Sequence, residues 1–229
     1  MLQLFFVEDL NNPILINENA HHANRVLRMS VGEQLLISNG FGDWARCQIK
    51  SVSKSEVALE ILEKGSEPET QIKISVIQAL PKSDRAREAV ELLTASGANE
   101  IYPWRSARSI GKDSEKWEVA AIEAAKQSRR FNIPKVHPIS ETTDLLSLFK
   151  EFEQILVCHE SANTAISEIV KPAKNTLIII GPEGGLTEEE LSLFTTAGAQ
   201  VIKLGRPILR SAHAGLAAVS AVSALMRVW

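Results

Sequence analysis

Short, apolar, β-branched runs alternate with longer amphipathic stretches over the last two thirds of the chain. Strands are expected near 72–79, 99–102, 155–158, 176–181 and 201–205, and helices near 84–96, 114–131, 142–151 and 187–197. That alternation predicts a parallel sheet with helices on its faces. The first part of the chain reads differently. Gln34 to Ser38, Trp44 to Val52 and Val57 to Leu62 are β-like runs separated by turn material that includes Asn39 and Gly40, the pattern of a small barrel. Between Glu63 and Gln71, Gly65, Pro68 and several polar residues separate the two patterns, so domains are expected at 1–68 and 72–229. From Ala212 to Trp229 runs an alanine-rich stretch with little charge, a helix that is either buried or an interface.

Two of the expected strands turn through glycine. Thr176–Gly181 is a run suited to a strand buried on both faces. Pro182, Glu183, Gly184 and Gly185 follow it, and Thr187 with Glu190 then has capping-box spacing. Val201–Gly205 is a second strand-like run, followed by Arg206, Pro207, Ile208, Leu209 and Arg210. Taken singly, each is an ordinary β-to-α connection. Two such turns bring bare backbone to one edge of a sheet, where main-chain groups can hold a small ligand. Neither turn has the spacing of the common nucleotide-binding loops, so phosphate cradling is unsupported.

The 229 residues are 45% hydrophobic, ordinary for a water-exposed globular chain with ample core material. Cys47 and Cys158 sit in apolar settings without metal or redox spacing and read as reduced packing residues. The start of the chain has no basic region and only a short apolar run, which predicts a cytoplasmic location without a signal peptide or membrane span. The net charge of −3 speaks mildly against a nucleic-acid partner, but the charge is uneven. Residues 1–70 hold six Lys/Arg against ten Asp/Glu, whereas residues 82–135 hold eleven against eight. Arg105, Arg108, Lys112, Lys126, Arg129, Arg130 and Lys135 therefore form a candidate RNA-facing strip, with Arg25 and Arg28 as a second, separate pair; each is otherwise a solvated surface charge.

The order GPEGG, then E-E-L, then LGxxILR, with His159 and Glu160 upstream at a strand end, resembles the SPOUT-class RNA methyltransferases. The similarity is closest to their RsmE type and runs along essentially the whole chain. It includes His22–Gly32, Pro81–Arg85 and Gln127–Arg130. The resemblance implies a PUA-like β-barrel followed by a SPOUT α/β domain with a trefoil knot, usually in a homodimer. It implies transfer of a methyl group from S-adenosyl-L-methionine to N3 of a uridine in small-subunit ribosomal RNA, free or within the 30S particle. No metal is expected, because His159 and His213 lack partners at ligand spacing.

By the same resemblance, Leu156, Cys158, His159, Glu160, Gly181, Pro182, Glu183, Gly184, Gly185, Leu204, Gly205, Ile208 and Leu209 would bind the cofactor. Arg210 would stabilise the developing uridinate; its alternatives are capping loop carbonyls or pairing with Glu183. Glu160 and Glu183 are candidate bases or orienting groups. The chain departs from the family pattern at Arg206-Pro207, where many members have Pro-Arg, and at Ala212-His213, where they have Glu-Thr. Alternatives in other classes are a SPOUT enzyme acting on another RNA, such as transfer RNA, and a non-catalytic RNA-binding dimer.

Overall fold

A computed structural model describes residues 2–68 and 70–229, with the backbone alone at Ser83 and Asp84. Met1, Glu69 in the stretch between the two sequence patterns, and the side chains of Ser83 and Asp84 in the Pro81–Arg85 element lie outside the described residues. The chain groups into two compact units, Met1–Glu69 with Ala125–Ile133, and Thr70–Ala124 with Pro134–Trp229.

The first unit contains β1 (Leu4–Phe6), β2 (Ile14–Ile16), helix α1 (Asn17–His21), β3 (Gln34–Ser38), β4 (Asp43–Val52) and β5 (Glu56–Ser66). They form one sheet in the order β1-β3-β4-β5-β2, curled as a half-barrel. Along β4, Ala45, Cys47 and Ile49 are buried while their neighbours are not, the period of two that a one-sided sheet requires. These side chains meet Phe5, Leu15, Leu35, Ile37 and Val57 in a core, and register shifts at Arg46/Cys47 and Ile49/Ser51 help the sheet to curl. Burial pushes the Cys47 thiol up to about 11, as suits a packing residue. Residues 17–26 are helical rather than part of a β pattern, α1 continuing into a π-helical turn at His22–Val26. Only Ala20 and Ala23 are buried there, too few apolar positions for the helical period to show in the sequence.

The second unit is built on β6 (Lys73–Ala79), α2 (Ser83–Ser96), β7 (Glu100–Arg105), α3 (Trp117–Ser128), β8 (Lys135–Val136), β9 (Ser140–Glu141) and α4 (Thr142–Leu148). β10 (Gln154–Cys158), α5 (Ile166–Ile169), β11 (Asn175–Ile180), α6 (Glu188–Thr196), β12 (Gln200–Ile202) and α7 (Ser211–Leu225) complete it. The unit boundary falls inside α3. The sheet is parallel, in the order β12-β10-β11-β6-β7-β8, with β9 also on β7.

β11 shows why its sequence is apolar throughout. Ile178 and Ile180 pack with Val90, Leu93 and Val219 from α2 and α7, while Leu177 and Ile179 pack with Leu145 and Phe194 from α4 and α6. Both faces are covered, so the alternation of a half-exposed strand is absent. α7 is apolar because Ala218, Val219 and Val222 are fully buried. Its Gly215 permits the close approach: a Cβ there would lie 2.8 Å from Leu93 Cδ2.

Candidate functional site

Three parallel strands of the second unit end level with one another. Cys158, the last residue of β10, is in register with Ile180 of β11 and with Ile202 of β12. The chain leaves all three ends through loops, at His159–Glu160, Gly181–Gly185 and Lys203–Arg210. Between the loops lies a cleft of about 440 Å³ with a smaller adjoining recess of about 90 Å³. The larger volume falls within the roughly 300–1,000 Å³ typical of small-molecule sites.

The Gly181–Gly185 turn is fixed from several sides. Ser211 Oγ donates to the Gly181 carbonyl at 2.7 Å and accepts from Gln78 Nε2 at 2.8 Å. Arg108 Nη1 donates to the Gly184 carbonyl at 2.9 Å and to the Leu186 carbonyl at 3.4 Å. Glu183 Oε1 accepts from Lys82 N at 3.3 Å. Gly185 has φ of +71°, a left-handed conformation that a side chain would strain. A Cβ on Gly184 would stand 3.2 Å from Arg108 Cβ, so glycine lets the arginine lie against the turn.

Beyond the turn, the buried Glu190 carboxylate joins two elements. It accepts from Thr187 N at 2.9 Å, closing the capping box at the start of α6, and from Ala107 N at 2.8 Å in the loop after β7. Charge-assisted hydrogen bonds compensate the removal of this carboxylate from water. The neighbouring Arg108 is thereby delivered to the glycine turn.

The cleft walls bring together Cys158, His159, Glu160, Gly181, Pro182, Glu183, Gly184, Gly185, Ile208, Leu209 and Arg210, and the recess adds Leu204 and Gly205. Leu156 does not reach the cleft; its side chain is fully buried in the core two residues before the strand end. Burial pushes the Cys158 thiol up to about 12, so it presents a neutral thiol rather than a thiolate. His159 Nδ1 is 2.8 Å from Ser161 Oγ. Arg210 is exposed at the N-cap of α7, and among the described residues it makes neither an ion pair nor a side-chain hydrogen bond. Ala212 is buried in the core, and His213 Nε2 lies 3.4 Å from Glu88 Oε1.

The basic residues divide between the units. Arg108 belongs to the cleft, while Arg105 lies 3.5 Å from Glu141 and donates to the Lys112 carbonyl at 2.9 Å. In the first unit, Arg25 and Arg28 are exposed, and Arg129 Nε donates to the Leu2 carbonyl at 2.8 Å. Burial lowers Arg130 to about 10, opposed by the charge of Glu67. Sequence reasoning missed Gln78, Ser211 and the link from Glu190 to Ala107. Only Gln78 left a visible trace, as a polar residue between the apolar Ile77 and Ala79. Among the described residues there is no cluster of metal-ligating side chains, and no helix is long and apolar enough to cross a membrane.

Residues 68–223 match the family described as RNA methyltransferase domain, and residues 15–62 match the RNA methyltransferase PUA domain. The chain is 33% identical to the ribosomal RNA small subunit methyltransferase E of Mycobacterium bovis, an alignment covering 99% of this chain and 93% of that protein. Its identity to the Bacillus subtilis protein of the same name is 32%, covering 97% and 96%. Among solved structures, the small subunit methyltransferase E of Neisseria gonorrhoeae bound to S-adenosyl methionine superposes with a TM-score of 0.89 at 27% identity, covering 98% of each chain.

Proposed function

The chain belongs to the RNA methyltransferase domain family, and on that premise we propose that it methylates N3 of a uridine in small-subunit ribosomal RNA, using S-adenosyl-L-methionine. The observation that carries this reading is the cleft where three level strand ends meet, two of them in glycine turns, in a chain related over nearly its whole length to ribosomal RNA methyltransferases.

The cleft suits such a cofactor. Bare backbone at Gly184, Gly185 and Gly205 offers main-chain groups, and Ile208 and Leu209, 81% and 40% exposed, supply apolar surface for a base to cover. When bound, the cofactor supplies an electrophilic methyl group on a sulfonium. The protein must then hold the uridine in line and manage a proton, because the neutral imide nitrogen is a poor nucleophile. Arg210, at the cleft wall and without a side-chain partner among the described residues, is assigned to the negative charge that develops on the base as N3 loses its proton. Glu160 is assigned to accept that proton. Glu183, tied to Lys82 N, is assigned to orient the loop.

In the same reading, residues 1–68 are the RNA-binding module and 72–229 the catalytic domain. The C-terminal segments form a trefoil knot, and two copies pair as a homodimer in the cytoplasm. Exposed Leu225 at the end of α7 and Trp229 just beyond it support pairing, since exposed apolar side chains there can be covered by a partner.

Nucleoside mass spectrometry of small-subunit ribosomal RNA from a strain lacking the gene tests the function. N3-methyluridine should be missing, and should return when purified protein and S-adenosyl-L-methionine are added to isolated subunits. Its presence without the gene would refute the assignment and redirect the search to other RNAs.

A further inference from the structure

The hairpin between β3 and β4 in the first unit carries Phe41, at 86% the most exposed large apolar side chain among the described residues. A lone apolar side chain at a surface is ordinary. What sets this one apart is the rigidity of its mounting. Asn39 Oδ1 accepts from Phe41 N at 2.8 Å, and Asn39 Nδ2 donates to Asp43 Oδ2 at 3.0 Å. Ser38 Oγ accepts from Gly40 N and donates to the Phe131 carbonyl, both at 3.0 Å. Gly42 N donates to that same carbonyl at 3.1 Å, and Ile133 N donates to the Gly40 carbonyl at 2.9 Å.

A segment some ninety positions away in sequence thus pairs with the hairpin through an antiparallel bridge between Phe41 and Asn132. Both flanking glycines are left-handed, with φ of +81° at Gly40 and +100° at Gly42. A Cβ on Gly40 would stand 2.8 Å from Ile133 Cδ1, so the approach of this segment needs glycine there. Trp44 stacks on Phe131 at 5.4 Å and anchors the other side. The backbone around Phe41 is bound, and the ring projects away from it.

A ring so presented loses little conformational freedom when something flat covers it. The segment that braces it carries Arg129 and Arg130 in the same unit, so the fold gathers two cations and an exposed aromatic that stand some ninety positions apart in sequence. That combination fits single-stranded RNA, whose unpaired bases stack on aromatic rings while cations meet the backbone. Two carboxylates beside the hairpin, Asp43 and Glu67, accept from Asn39 and Asn132, and Glu67 N donates to the Gly42 carbonyl. Their negative charge disfavours a phosphate at the tip and leaves a base as the fitting occupant. We propose that Phe41 is a stacking platform for an unpaired base of the RNA. This deepens the RNA methyltransferase reading and rests on it.

The test is binding of the full chain to a small-subunit ribosomal RNA transcript and to a short oligouridylate, measured by fluorescence anisotropy over a range of salt. Phe41→Ala should weaken binding roughly tenfold, the scale of one lost base–aromatic stack, without changing the slope of affinity against salt. Phe41→Trp should bind like the unaltered chain, and S-adenosyl-L-methionine affinity should be the same in all three. Phe41 is exposed, so the alanine variant removes no core contact. Unchanged RNA binding by Phe41→Ala overturns the proposal. So does loss of self-association with RNA affinity intact, because the tip would then be a protein contact. Failure of the methyltransferase reading appears separately, as absent methylation by the unaltered chain.

Discussion

The two glycine turns of the cleft are built in opposite ways. The Gly181–Gly185 turn is bound by Ser211, Arg108 and Lys82, and Glu190 ties the helix that follows it to the loop that carries Arg108. The Leu204–Leu209 stretch makes no hydrogen bond among the described residues, and Ile208 and Leu209 at its end are exposed. Sequence similarity between the turns conceals this difference. The first is preorganised before a ligand arrives, whereas the second has unsatisfied backbone groups that a ligand can use. A site with one rigid wall and one adaptable wall orders only half of itself on binding, which limits the entropic cost.

The comparison is broken most severely by removing Glu190. Its loss removes a buried side chain and the carboxylate acceptor of the part-buried Thr187 and Ala107 N–H groups, so Glu190→Ala should cost about 1–3 kcal/mol in urea unfolding. Glu190→Gln, which keeps an acceptor oxygen, should cost less than half of that. Next is Arg108→Ala, which frees the first turn without opening the core. It should weaken S-adenosyl-L-methionine binding by calorimetry roughly tenfold, the value of a charge-assisted hydrogen bond. Lysine should not restore it, lacking the guanidinium's fixed geometry.

Smaller effects separate the turns directly. Gly184→Ala pushes a Cβ to 3.2 Å from Arg108 and should loosen cofactor binding about threefold, a fraction of the loss expected for Arg108 itself. Gly205→Ala meets nothing nearer than 3.8 Å and should be close to neutral in the same assay. Equal losses in the two variants would remove the distinction between a bound and an open wall.

The smallest effect is a control at the other end of β7. Burial raises the Glu100 carboxyl, but hydrogen bonds from Tyr102 and His137, at 2.7 and 2.6 Å, and the charge of His137 together hold it below the usual carboxylate range. A lowered folded pKa adds stability above the unfolded pKa, and that stability is lost as pH falls through the folded value. Glu100→Gln should flatten the acid limb of the stability profile while leaving cofactor affinity unchanged. A loss of affinity there would mean that the rigidity of the first turn depends on the whole sheet rather than on its local bonds.

Much of the second unit was legible because its strands are short β-branched runs bounded by glycine, and its helices carry long patterned stretches. Strand β12 ends at Ile202 rather than continuing to Gly205, because Lys203 turns to Thr164 and Ile166 for its hydrogen bonds. Helix α3 begins at Trp117, not near 114. The Thr187–Glu190 cap was visible by spacing alone. The bond from Ser211 to Gly181, and the pairing of Phe41 with Asn132, were not. Both join residues far apart in sequence, and no local propensity encodes a long-range partner. Arg108 read as one cation among several because composition reveals charge but not the carbonyls it meets.

Hydrogen exchange of the full chain with and without S-adenosyl-L-methionine tests the two-wall site most directly. The hydrogen-bonded amides of Gly185 and Thr187 should exchange slowly in the free protein and change little, while those at 204–210 should exchange quickly and become protected on binding. Fast exchange at Gly185 and Thr187 in the free protein, or no protection at 204–210 with cofactor bound, would contradict it.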